Sequence, residues 1–289
     1  MLYLHNILNG IWMMDEAYAA NYLPLVASFI KGEQMTAKPT EVELNKRNSI
    51  QFATFPNDVL SVSSNSTGIT PENAPQGSIA IINIANAITK QDQECGPAGM
   101  KTKSDLLKRC YANDNINSVV LVIDSGGGQG MAMRLMAETI SQKNKPVGAF
   151  IDDNCCSAAY GIASGCDFIV ANSNQAQIGS IGTYITIADY TEKFKQMGVN
   201  LIEIYASAST DKNKEFFDAI QGNPEPIRAI ANQFNEHFLS LIESNRTDKL
   251  KADRTVWGTG KVYFAEKALE LGLIDGIDTL ENFINYFNT

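Results

Sequence analysis

Histidine is nearly absent: His5 and His237 are the only two in 289 residues. That scarcity leaves two poor candidates for the base of a Ser-His-Asp triad. The five cysteines, Cys95, Cys110, Cys155, Cys156 and Cys166, are odd in number and follow no zinc-site or disulfide-framework spacing. They read as reduced thiols of a cytosolic protein. No apolar run reaches the roughly 18–20 residues of a membrane span. The N-terminus has no basic region and carries Asp15 and Glu16, so it does not read as a secretory signal. A dense Lys/Arg run is missing too, and with a net charge of −9 this argues against a nucleic-acid partner. Neither a phosphate-binding lysine loop nor a dinucleotide glycine pattern is present. The expectation is a protein without cofactor or metal.

What is present is an ordinary globular composition, 44% hydrophobic and 19% charged. Residues 1–34 read as an amphipathic helical element, with Leu23, Leu25, Val26, Phe29 and Ile30 near helical spacing. Residues 35–77 are polar and rich in Ser, Asn, Thr and Pro, which reads as a linker or irregular excursion. The expected organisation is a helical extension and linker over 1–77 and one core domain over 78–289. From 78 onward strands and helices alternate. Strands are expected at 78–88, 119–125, 146–151, 167–171 and 200–206, and helices at 99–114, 130–142, 156–164 and 191–198. The stretch 212–289 reads as mostly helical, broken at 222–226 and 258–261. Such alternation implies an α/β fold with right-handed crossovers.

Four segments can carry chemistry. Asp124-Ser125-Gly126-Gly127-Gly128 ends a buried strand and precedes a helix. Its glycines can present backbone N–H groups to an oxyanion, or form a tight turn with no ligand. Ser157, in Asn154-Cys155-Cys156-Ser157-Ala158-Ala159-Tyr160-Gly161, opens a small-residue helix as a nucleophile or as a plain N-cap. Gln177-Ile178-Gly179-Ser180-Ile181-Gly182 brackets a serine with glycines, or is a strand with a bulge. Lys212 and Lys214 lie in Ser209-Thr210-Asp211-Lys212-Asn213-Lys214-Glu215, as solvated charge or as a base. His237 sits in a long helical stretch with no turn to aim it. If Ser157 is a nucleophile, a Ser-Lys dyad is the natural variant, its neutral amine taking the serine proton.

In order and spacing these segments resemble the signal peptide peptidase A family over about residues 78–280. That family shows a Ser-Pro-Gly-Gly turn, a helix opening Ser-x-x-Tyr, a Gly-Ser-Ile-Gly, a lysine segment and a C-terminal Ala-x-x-x-Gly-Leu-Ile-Asp. Here these read Ser125 to Gly128, Ser157 to Tyr160, Gly179 to Gly182, Lys212, and Ala268 to Asp275. The resemblance implies an α/β fold of the crotonase/Clp-protease type and a serine endopeptidase acting through an acyl-enzyme. It implies Ser157 as nucleophile, Lys212 as general base, Gly127 and Ala158 as oxyanion-hole N–H donors, and Ser180 orienting the lysine. Gly126 stands where the family has proline, and Lys212 falls one residue later than a gap-free match, with Lys214 competing and Lys193 and Lys195 behind it. The opening segment and Cys95 to Met100 resemble the phage capsid-maturation branch. Expected partners are a peptide or protein substrate, added as a strand to the sheet edge near the glycine turn, and further copies in a ring. The expected location is cytoplasmic or virion-associated. Two other classes fit the same residues: a crotonase-type acyl-CoA enzyme using Asp152 and Asp153, and a non-catalytic scaffold protein.

Overall fold

The computed structural model describes residues 12–14, 50–64, 69–93, 97–187, 189–200 and 202–288. Its centre follows from the long apolar runs. Strands β4 (Ser78–Ala85), β5 (Ile116–Ser125) and β7 (Val147–Cys156) pair in parallel, β4 with β5 and β5 with β7. A run such as Val119 to Ile123 must be covered on both faces, which is what a parallel sheet demands. Beside β4 lie β2 (Ile50–Thr54) and then β3 (Ser61–Ser64), both antiparallel. Beyond β7 the sheet forks. β8 (Phe168–Ala171) pairs with the first half of β7, and β9 (Gln177–Gly179) with its second half. β10 (Val262–Phe264) closes against β9, and β11 (Gly276–Ile277) against β8.

Helices cover one face. α1 (Met100–Ala112) buries Leu106, Leu107, Cys110 and Tyr111, and α2 (Gly130–Ser141) buries Ala132, Met133, Met136 and Ile140, both at helical spacing. The small-residue helix α3 (Ala158–Ala163) is buried along its whole length. A side chain at Gly161 would run into the Met133 sulfur, so glycine there sets how closely α2 and α3 approach. α6 (Glu225–Asn245) adds Phe238, Leu239 and Ile242 to the same core. The opposite face is thinner, formed by Phe283 and Ile284 of α9 (Leu280–Tyr286) on Ile79, Ile81, Val120 and Phe150.

Several expectations change. The sheet begins upstream of the boundary drawn at residue 78, because β2 and β3 lie in the stretch read as linker. The alternating apolar pattern of β2 finds a partner in β4, which polar composition around it concealed. Of the expected N-terminal helix, Trp12–Met14 is instead a strand, β1, and the rest lies outside the described residues. The expected strand at 200–206 is not formed. Its described residues have no sheet neighbour, and Ile202 and Ile204 are 82% and 91% exposed. The C-terminal stretch read as helical contains β10 and β11 between α7 (Arg254–Trp257), α8 (Ala265–Leu271) and α9. α4 (Thr191–Gln196) forms as expected.

The C-terminal Gly-Leu-Ile-Asp is structural. Arg246, buried at the end of α6, donates to both Asp275 carboxylate oxygens at 2.9 and 3.0 Å and to the Gly272 carbonyl at 2.8 Å. The Asp275 carboxylate also accepts from the Ile169 amide at 2.8 Å and pairs with Lys249 at 3.1 Å. The Tyr160 hydroxyl donates to the Leu273 carbonyl at 2.8 Å, tying α3 to this clamp. Gly272 has φ +77°, and a side chain there would strike the Lys249 carbonyl.

Burial alone would raise the Asp275 pKa, but the hydrogen bonds and charge of Arg246, the Ile169 amide and Lys249 outweigh it and hold the carboxyl below its ordinary 3.8. Its contribution is complete above the unfolded value and is lost as pH falls through the depressed folded value. Asp275→Ala should destabilise the protein by about 3–5 kcal/mol at neutral pH, since it leaves a buried guanidinium without its partner. Urea unfolding should show this deficit shrinking as pH drops below the carboxyl's ordinary 3.8.

Candidate active site

The site is assembled by a break in register. Ile123 pairs with Ile151, but the next pair is Ser125 with Cys155, so β7 carries two more residues than β5 between them. The excess bulges outward at residues 152–154, and the Asn154 side chain crosses it to donate to Asp124 at 3.0 Å. Past the bulge β7 exchanges β8 for β9, pairing Cys156 with Gly179. The next residue is Ser157.

Ser157 adopts φ 54°, ψ −118°, a conformation that non-glycine residues avoid. Holding it costs about 1–3 kcal/mol, a strain found where surrounding structure over-determines the backbone. Its amide donates to the Gly179 carbonyl at 2.7 Å, and its carbonyl accepts from Gly161 at 3.0 Å. Ser157 holds the N-cap position of α3, but its hydroxyl makes no capping bond. Its Oγ is buried without a hydrogen-bond partner among the described residues. The Ala158 amide, first in α3, has no acceptor within the helix.

Opposite lies the glycine turn. Ser125 is buried; its hydroxyl donates to the Asn86 carbonyl at 2.5 Å and accepts from the Gly127 amide at 3.1 Å. Gly127 has φ +105° and Asn86 φ +63°. The residues after the turn form β6 (Gly127–Gln129), which packs on α3. A side chain at Gly128 would overlap the Ile88 backbone, so only glycine permits this approach.

Ser180, also at positive φ (49°), is buried next to Gly179 and donates its amide to the Lys261 carbonyl at 2.8 Å. Ser157, Ala158, the glycine turn and Ser180 thus occupy one end of the sheet. Lys212 does not join them: it lies exposed in the turn before α5 (Lys214–Ile220). Lys214 pairs with Asp218 at 3.2 Å and Lys195 with Glu192 at 2.7 Å, while Lys193 is exposed. His237 is exposed on α6, and His5 lies outside the described residues. Asp152 and Asp153, the carboxylates a crotonase-type enzyme would use, are exposed on the bulge.

Sequence reasoning did not single out Asn86 or the role of Ser125. The signal was weak: Asn tolerates positive φ, and Asn86 stood inside an expected strand. The adjacent thiol Cys155 is held protonated by burial, which pushes its pKa well above the ordinary thiol value, with Cys156 and Cys166 adding to the effect. Burial likewise pushes Cys166 and Cys110 up to about 12. These three thiols are therefore poor nucleophiles.

Protease 4 of Haemophilus influenzae is 25% identical over 72% of this chain and 34% of its own length. The head-tail preconnector protein GP5 of Enterobacteria phage P21 is 28% identical over 63% of this chain and 36% of its own. The chain therefore spans about a third of the length of these relatives. Among solved structures, ClpP1 of Listeria monocytogenes overlays with a TM-score of 0.44 and 12% identity, covering 71% of this chain and 94% of that one. Peptidase family S49 matches residues 139–289, from α2 through the Ser157 turn to the Asp275 clamp. With just over half of its length matched, the chain belongs to peptidase family S49.

Proposed function

We propose that this chain is a serine endopeptidase in which Ser157 is the nucleophile. The observation that carries the reading is the Ser157 conformation: a buried hydroxyl at a strained strand-to-helix turn, committed to no bond among the described residues. A hydroxyl kept free at such a turn is available to attack a carbonyl carbon. Oγ bonds to that carbon as its proton passes to a neutral lysine amine. The peptide C–N bond then breaks and the proton moves to the leaving amine. Water hydrolyses the resulting ester by the reverse proton path. The tetrahedral oxyanion is stabilised by the amides of Ala158 and Gly127, the latter after release from Ser125. Ser180 orients the lysine. The small residues Ala158, Ala159 and Gly161 around Ser157 suit a small or apolar side chain before the scissile bond. Similarity to a phage head protein supports a capsid or scaffold protein as substrate.

Lys212 is the base in this reading, and it must travel from the surface to reach Ser157. It sits at the end of a segment exposing Met197, Val199, Ile202, Ile204 and Tyr205. Apolar side chains in such a run call for cover. A second copy of the chain supplies it, fixes the segment and brings the lysine in, which makes the oligomer the active form.

A scaffold role without catalysis is the second reading. Two observations favour it: Lys212 at the surface, and the Gly127 amide already bonded to Ser125.

Intact mass after treatment with a serine-acylating probe separates the two. The wild type should gain one adduct and Ser157→Ala none. Lys212→Ala should label roughly 10²–10⁴-fold more slowly, the usual contribution of a general base. Equal rates for wild type and Lys212→Ala would move the base elsewhere, and no labelling would favour the scaffold. Ile204→Asp should shift the protein to smaller species in sedimentation velocity and slow labelling with them. Unchanged size would remove the role given to this segment.

A further inference from the structure

The edge of β6 is already occupied by the chain itself. Strand β1 lies antiparallel to it, with Met14 opposite Gly127, Met13 opposite Gly128 and Trp12 opposite Gln129. On its other side β6 is fastened to Ile88, whose amide donates to the Gly127 carbonyl at 2.9 Å and whose carbonyl accepts from the Gln129 amide at 2.8 Å. Backbone groups alternate sides along a strand, so the Gly128 amide and carbonyl face the β1 edge. Met13 is therefore the residue that exchanges hydrogen bonds with Gly128. This edge leads straight from the glycine turn and rests on α3, the helix that Ser157 opens.

We propose that Trp12–Met14 is an internal pseudosubstrate: the chain's own N-terminal segment occupies the strand position that a substrate must take, and a substrate binds by displacing it. This rests on the peptidase reading and adds to it a direction and a register. A bound peptide runs antiparallel to β6, and the residue opposite Gly127 is the last before the scissile bond, where Met14 now lies. Among the described residues three pairs join β1 to β6, a short ladder for a substrate strand to exchange with. Being tethered, it competes at an effective concentration in roughly the millimolar range.

The test uses the full chain and an extended fluorogenic peptide. Met13→Pro removes the amide that faces Gly128 and should lower KM by about tenfold with kcat little changed, because it removes a tethered competitor. Met13→Ala keeps the backbone and should behave as wild type. Hydrogen exchange on the unaltered protein gives an independent reading: saturation with a peptide boronate should speed exchange at the amides of residues 12–14. If wild type cleaves the peptide, Met13→Pro leaves KM unchanged and the boronate leaves exchange unchanged, the pseudosubstrate is overturned and the peptidase stands. If neither wild type nor Met13→Pro cleaves the peptide or reacts at Ser157, the peptidase reading fails and the pseudosubstrate with it.

Discussion

The structure depends on a mismatch between two neighbouring strands. Between Ile123 and Ser125 on β5, β7 must fit Ile151 to Cys155. A regular parallel ladder cannot absorb the excess, so β7 buckles at residues 152–154 and leaves the bulge with a new neighbour. From there the geometry is forced. Cys156 pairs with Gly179, the Ser157 amide is drawn to the Gly179 carbonyl, and the chain must enter α3 at once. Ser157 makes the passage from the strand behind it to the helix ahead at φ 54°. The strain is sustained because α3 is buried along its length and held from below by Tyr160 on Leu273. The Arg246–Asp275 clamp, distant in sequence, thereby supports the turn without touching it.

The central strands and their helices were legible because their signals are local and strong. Val119 to Ile123 is a continuous apolar run, and α1 and α2 bury residues at helical intervals. The errors arose where the partner lies far away in the chain. β2 looked like part of a polar linker, and it is its partners, β4 on one side and β3 on the other, that make it a strand. The stretch 200–206 has the alternation of a strand but no sheet neighbour among the described residues. β10 is too short for periodicity to register, and it exists because β9 offers it an antiparallel partner.

For the site, the sequence showed which residues belong together, and the structure shows what each does to the backbone. Gly127, Ser157 and Ser180 were read as side chains or donors in a motif. Each is also a point of positive φ, a property that residue type alone discloses only for glycine. Gly128 likewise gains a reason, since its edge must touch Ile88. The bulge at residues 152–154 was invisible because register is a relation between two strands.

Three features of the site point the same way. The Gly127 amide is bonded to Ser125, the β6 edge is covered by β1, and Lys212 stands at the surface. Each is a local and reversible arrangement, and none disturbs the strained serine. The costly part of the site, a buried hydroxyl at a forbidden backbone angle, is built by the fold. The parts left unmade are those that a strand exchange, a single hydrogen bond and contact with another copy can supply. An endopeptidase whose substrate is another protein in a crowded assembly gains from this division. On the proposed reading its nucleophile is preorganised, and it acts once a strand has displaced β1 and a neighbour has delivered the base. On that reading activity is conditional on assembly, with no change required in the chemistry of Ser157.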